Sequence, residues 1–194
     1  MLPYFNKDKI EAGCDEAGRG CLSGPVVAAA VILPRNCIID TLNDSKQLSE
    51  KKRRVLVPQI QEVALAYGIS FIDQEEIDEI NILQASFKAM HQAVDQLSLK
   101  PELLLIDGYR FTPYEGVPHE CIIKGDGKYQ SIAAASILAK EARDEFMRTI
   151  HQKFPNYNWS KNKGYPTKQH REAIQEFGIT KYHRKSFTLL PTKT

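Results

Sequence analysis

Apolar and polar positions along the chain change period several times, and each change marks an element. Residues Ile10 to Cys14 and the apolar run Val26 to Leu33 read as two strands. The turn between them carries Gly18, Gly20, Gly24 and Pro25, a spacing that suits an antiparallel pair. Ser49 is placed to cap a helix bearing Val55, Leu56 and Ile60, with Pro58 expected to kink it or end it early. From residue 63 to 72 every second position is apolar (Val63, Leu65, Tyr67, Ile69, Phe71), the alternation of a half-buried strand.

Helical spacing then takes over. Phe87, Met90, Val94 and Leu97 predict an amphipathic helix from Ile82 to Leu97, on which His91 is a packing or surface residue. Leu103 to Ile106 is unbroken apolar sequence ending in Asp107-Gly108, as expected of a central strand covered on both faces. Cys121 to Ile123 is a shorter strand candidate. Ser131 to Ile150 is Ala-rich and apolar nearly all round before it becomes amphipathic, so it predicts a helix with a deeply buried first half. Thr167 to Phe177, closed by Gly178, predicts a capped helix. Three strands, a helix, two strands and further helices give an α/β or α+β domain with a mixed sheet and a helical C-terminal extension.

Composition narrows this picture only a little. A length of 194 residues, 42% of them hydrophobic, suffices for one sizeable core. The formal net charge is only +2, so any surface for a polyanion must be local. Basic residues cluster in Lys51-Lys52-Arg53-Arg54 and again in Lys161, Lys163, Lys168, Arg171, Lys181, Arg184 and Lys185, which reads equally as solvated helix faces. Cys14, Cys21, Cys37 and Cys121 lack zinc or disulfide spacing, so buried reduced thiols are expected. No apolar run approaches the ~20 residues that cross a bilayer, and the start shows no signal pattern. A soluble, cytoplasmic, monomeric protein with no membrane partner is expected.

Candidate chemistry lies in the acidic residues. Asp15-Glu16 ends the first strand, Asp107 ends the central strand, and Asp126 lies in Lys124-Gly125-Asp126-Gly127. If these groups converge within ~4 Å, each pair repels by roughly 1 to 4 kcal/mol, a penalty that a divalent cation reverses. Oxygen donors without His or Cys favour Mg²⁺ or Mn²⁺ over Zn²⁺. Neighbours on a regular strand face opposite ways, so Asp15 and Glu16 reach one site only if the strand breaks there. The competing reading has Asp15 capping a turn, Glu16 solvated and Asp107-Gly108 an ordinary turn. Asp144, four residues before Arg148, is accounted for by an intrahelical ion pair.

The block Gly13-Cys14-Asp15-Glu16-Ala17-Gly18-Arg19-Gly20, followed by Gly24-Pro25-Val26-Val27-Ala28-Ala29-Ala30, resembles the ribonuclease HII family. So do Asp44-Ser45-Lys46-Gln47-Leu48, Ile106-Asp107-Gly108, Lys124-Gly125-Asp126, Ser131 to Lys140 and Lys163-Gly164-Tyr165-Pro166-Thr167, which spread the resemblance over nearly the whole chain. The resemblance implies a ribonuclease H-like fold with a five-stranded mixed sheet flanked by helices. It implies a catalytic domain over residues 1–155 and, over 156–194, a helical extension packed on it and contributing to substrate binding. It further implies an endonuclease that hydrolyses the RNA strand of RNA-DNA hybrids and cuts 5′ of ribonucleotides embedded in duplex DNA. Two divalent ions, Mn²⁺ or Mg²⁺, would serve the reaction and leave 3′-hydroxyl and 5′-phosphate ends. Asp15, Glu16, Asp107 and Asp126 match the family's catalytic, metal-binding carboxylates, and Gly18, Arg19 and Gly20 match the turn that reads the ribose 2′-hydroxyl. Tyr165 matches the tyrosine that stacks near the RNA-DNA junction, while Lys46, Ser131 and Ser136 fall in blocks tied to phosphate contact.

Other classes remain to be separated. His170 and His183 would serve a metal-independent ribonuclease. The basic C-terminal third with Tyr157, Trp159, Tyr165 and Tyr182 would serve a non-catalytic nucleic-acid binder. Another nuclease on the same fold would cut all-DNA junctions. The tail Ser186-Phe187-Thr188-Leu189-Leu190 offers a docking segment for a replication clamp, although packing explains it as well.

Overall fold

The computed structural model describes residues 1–39, 41–42 and 48–190. Five strands form one mixed sheet in the order β3-β2-β1-β4-β5: β1 Glu11–Ala17, β2 Val26–Ile32, β3 Ala66–Ile72, β4 Leu103–Asp107 and β5 His119–Ile122. The first three strands are antiparallel neighbours, whereas β1-β4 and β4-β5 are parallel. Parallel pairing needs a crossover: between β1 and β4 the chain passes through helices α1 Glu50–Val63, α2 Gln74–Ile80 and α3 Ile82–Asp95, whereas residues 108–118 join β4 to β5 without a helix. Helix α4 Gln130–Lys153 follows β5, and the short α5 Trp159–Asn162 and α6 Lys168–Phe177 complete the order.

The period of two along each strand divides the core into two layers. Ala12, Cys14, Ala28, Ala30, Leu104 and Ile106 pack on Ala85, Ala89, Met90 and Ala93 of α3. Ala29 and Val31 pack instead on Leu56 and Ile60 of α1 and on Ala134, Ala135 and Leu138 of α4. The alanines of α4 let it lie close to the sheet, and Gly13 takes the closest approach: a Cβ there would stand 2.2 Å from the Ser131 carbonyl carbon. Beyond the sheet, Leu22, Met147, Ile150, Tyr157, Trp159, Ala173 and Ile174 form a separate cluster that seats α5 and α6 on the end of α4.

Several elements differ from expectation. Strand β1 does not break at Asp15-Glu16 but stays paired through Ala17. Helix α1 continues five residues past Pro58, with buried Leu56 and Ile60 anchoring it on either side of the proline. In β3 the alternation holds with the opposite face inward: Ala66, Gly68, Ser70 and Ile72 are buried, while Tyr67 and Phe71 are exposed. Packing distance decides this, because a Cβ on Gly68 would stand 2.1 Å from the Ala93 carbonyl oxygen of α3. Helix α2 went unforeseen, although Asp73 followed by Glu76 is a capping signature and the Asp73 carboxylate does accept the Glu76 N–H at 2.9 Å.

Candidate active site

The carboxylates come together through strand parity. Cys14 and Ile106 face α3, so Asp15 and Asp107, each one residue later on parallel neighbours, face α4. A 3-10 turn, Gly125–Gly127, delivers Asp126 to the same side immediately before α4. One oxygen each from Asp15, Asp107 and Asp126 lies within 4.8 Å of the others, a set able to hold a cation. Asp107 Oδ1 also accepts the Gly125 N–H at 2.7 Å, which ties the turn to the strand.

Glu16 stands outside this trio because the unbroken strand turns it away from Asp15. Its carboxylate meets Arg19 Nη1 at 3.2 Å, yet it lines the same cavity. That cavity, about 220 Å³, is walled by Asp15, Glu16, the Gly18-Arg19-Gly20 turn, Asp107, Ser136, Lys140 and Tyr165. Burial holds the Asp15 carboxyl well above the ordinary carboxylate range, and Glu16 and Asp107 push it further, against a hydrogen bond with Ser136 and the Glu16 N–H at 2.7 Å. A crowded acidic site of this kind is electrostatically incomplete until a cation neutralises it.

The remaining candidates are placed as follows. Gly18 has φ +99°, a left-handed conformation that favours glycine, and opens the turn at the cavity wall. Ser136 reaches Asp15 from α4, whereas Ser131, the second residue of that helix, is buried against β1 rather than in the cavity wall. Lys46 lies outside the described residues. Tyr165 is partly exposed at the rim, with Lys140 Nζ 6.0 Å from its ring centroid.

Lys140 was not singled out beforehand, although its four-residue spacing from Asp144 was a visible signal. Asp144 is buried and pairs with Lys140 and, at 3.0 Å, with Arg53, so its partner is not Arg148. Arg148 instead meets Glu50 and Glu141. The basic clusters are likewise not simple surfaces: Arg53, Lys163 and Arg184 are buried.

His170 and His183 form no acid-base pair open to substrate. Both are buried, and desolvation lowers both, His183 to about 4. Trp159 Nε1–H can only donate, so His170 Nε2 accepts it at 3.0 Å and Nδ1–H donates to the Tyr165 carbonyl at 2.9 Å. In the tail, Phe187 and Leu189 pack against the body, and Arg171 Nη1 donates to the Thr188 carbonyl at 3.0 Å. Among the described residues no helix is long and apolar enough to cross a membrane.

A mixed sheet of this order, with carboxylates facing α4 from its neighbouring strands β1 and β4, has the ribonuclease H-like fold and a site suited to metal-dependent nuclease chemistry. The ribonuclease H2 of Pyrococcus horikoshii superposes with a TM-score of 0.77 at 26% identity, covering 92% of this chain and 94% of that one. An Archaeoglobus fulgidus RNase HII, solved in complex with PCNA, gives 0.77 at 28% identity over 95% of this chain and 98% of its own. The sequence narrows the class. The family Ribonuclease HII matches residues 12–190, and a Ribonuclease HII of Bacteroides thetaiotaomicron is 63% identical over 190 residues, 98% of this chain and 95% of the relative. The chain belongs to the ribonuclease HII family and is an endoribonuclease.

Proposed function

We propose that this chain hydrolyses the RNA strand of RNA-DNA hybrids and cuts on the 5′ side of single ribonucleotides in duplex DNA, leaving 3′-hydroxyl and 5′-phosphate ends. The observation that carries the reading is the convergence of Asp15, Asp107 and Asp126 within 4.8 Å, beside a cavity that Asp15 and Asp107 line together with the Gly18–Gly20 turn and Tyr165. The all-oxygen, mostly buried donor set fits Mg²⁺ or Mn²⁺, and Glu16, at the same cavity wall, is placed to serve a second ion. When bound, such ions supply an activated water and charge neutralisation for an in-line displacement at phosphorus.

The chain's own groups do the rest. Asp15, Asp107 and Asp126 would hold the cations, and Ser136 orients the Asp15 carboxylate. The Gly18-Arg19-Gly20 turn brings backbone to the ribose 2′-hydroxyl, the group that separates RNA from DNA. Tyr165 offers its exposed ring to the adjoining sugar on the deoxyribose side, with Lys140 beside it to meet phosphate. Exposed Lys161, Lys168, Lys181 and Lys185, in the extension 156–194, lie outside the cavity and supply sequence-independent attraction for the duplex. The relative solved with PCNA raises a clamp partner for this chain too, but its docking segment would exclude Phe187 and Leu189 as packed here.

The test is one cleavage assay with Mg²⁺ or Mn²⁺, with and without chelator, on duplexes carrying one ribonucleotide, four, or none. Cutting of the first two, abolished by chelator, is the expected result. Cleavage of the all-DNA duplex, or activity that survives chelation, overturns the reading.

A further inference from the structure

The cavity is walled by two irregular segments far apart in sequence, the 18–25 turn and the 163–167 turn. Neither is part of a helix or a sheet ladder, so their backbone groups need other partners. Two buried arginines supply them. Arg143 in α4 donates Nε to the Pro25 carbonyl at 2.9 Å, Nη2 to Ser23 at 3.0 Å and Nη1 to Lys163 at 2.7 Å. Arg184 donates Nε to the Gly24 carbonyl at 3.0 Å and Nη1 to Arg19 at 2.9 Å. Arg143 thus bridges both segments, which are otherwise joined by one backbone bond, Leu22 N–H to Gly164 oxygen at 2.8 Å.

Charge makes this arrangement costly. Asp144 serves Arg53 and Lys140, Glu141 serves Arg54 and Arg148, and among the described residues no ion pair reaches Arg143 or Arg184. The two guanidinium groups also repel each other, and burial followed by that repulsion pulls Arg184 down to about 10. A buried guanidinium without a close ion pair is retained only where its hydrogen bonds compensate, and for Arg184 the more distant Asp78 adds attraction. A planar fork holding three carbonyls at fixed angles is something lysine cannot reproduce. Gly18 rests directly on that fork, since a Cβ there would stand 2.0 Å from Arg143 Nε.

We propose that Arg143, seconded by Arg184, is a positioning residue that sets the Gly18–Gly20 turn at a fixed distance from Tyr165, so that both engage the same nucleotide step. The proposal rests on the ribose and junction roles given to those two elements above. A lone ribonucleotide presents only one register in which both contacts are made, whereas a four-ribonucleotide tract presents several. Loosening the bridge therefore penalises the first substrate more.

A double-mutant cycle of Arg143→Lys and Tyr165→Ala tests this, with kcat/KM read on the one- and four-ribonucleotide duplexes. Arg143→Lys is expected to lose about 10- to 100-fold on the single ribonucleotide and several-fold less on the tract. In the Tyr165→Ala background that selective loss should vanish. Equal losses on both duplexes in both backgrounds would make Arg143 a fold-stabilising residue only and overturn the proposal. If Tyr165→Ala alone loses equally on both duplexes, the junction role falls; additive losses on each duplex then overturn the proposal as well, and sub-additive losses sustain it. Should Arg143→Lys fail to fold by circular dichroism, Arg184→Lys enters the same cycle with the same outcomes.

Discussion

Replacing Asp15 by Asn should stabilise the metal-free protein while removing activity. Asp15, Asp107 and Asp126 present oxygens within 4.8 Å of one another, where each ionised pair repels by roughly 1 to 3.5 kcal/mol for effective dielectrics between 80 and 20. Asparagine removes two such pairs and the Glu16 repulsion, keeps an acceptor for the Glu16 N–H, and weakens the contact with Ser136. A net gain of about 2 kcal/mol follows, or about 4 to 8 °C in Tm for a chain of this size. The sign with pH is fixed by linkage: a carboxyl raised in the folded state makes the native protein less stable as pH rises through that raised value. The advantage of Asn should therefore be small near pH 4 and grow toward pH 8. Adding Mg²⁺ or Mn²⁺ at about 100 times its Kd should return about 2.7 kcal/mol to the wild type and little to the variant. Calorimetric melts in chelator and in metal, at three pH values, measure all of this. A variant that melts below the wild type in chelator at pH 8, with both responding equally to metal, would refute the electrostatic account.

Four further outcomes are expected. Because His183 is lowered from 6.5 to about 4, its burial stabilises the fold fully above pH 6.5 and loses about 3 kcal/mol as pH falls to 4; urea titrations of the wild type and His183→Asn should converge on acidification. Gly13→Ala should cost about 3 kcal/mol or more, read by thermal melt, because its Cβ would meet the Ser131 carbonyl carbon at 2.2 Å and lever α4 off the sheet. Tyr165→Ala should lose more cleavage at a single ribonucleotide than on a longer RNA tract, and Tyr165→Phe should lose little; gel assays on the two duplexes decide. Lys168→Ala, whose side chain is highly exposed, should flatten the salt dependence of duplex binding by about one unit of log-log slope, whereas Lys163→Ala should act on stability, since that lysine is buried against the Ser160 carbonyl.

Periodicity alone located all five strands and the long helices, since burial of α3 and α4 and the continuous apolar run of β4 are direct imprints of the core. What it could not assign was which face of β3 turns inward, because small residues admitted by a close helix outweigh larger ones that a looser packing would bury. The acidic residues were readable in sequence, and their convergence required only that Asp15 and Asp107 share strand parity. Glu16 was harder: a break in β1 looked necessary to bring it to the site of Asp15, but the strand continues and Glu16 still lines the cavity, meeting Arg19 there. The intrahelical ion pair expected of Asp144 exists, but with Lys140 rather than Arg148, and Lys163, expected on a solvated face, is buried with Glu50 of α1 3.5 Å from its Nζ. The partners that sequence spacing could not reveal, Arg53 for Asp144 and Glu50 for Lys163, depend on tertiary packing.

The buried indole of Trp159 has a practical consequence. It is the chain's single tryptophan, and only one imidazole, His170, stands between its N–H and the backbone of Tyr165. Its emission is therefore an unlabelled optical gauge of the rim, free of interference from any second indole. A shift in that rim when a duplex enters would alter the hydrogen bond felt by the excited ring, so stopped-flow fluorescence could time substrate engagement separately from bond cleavage.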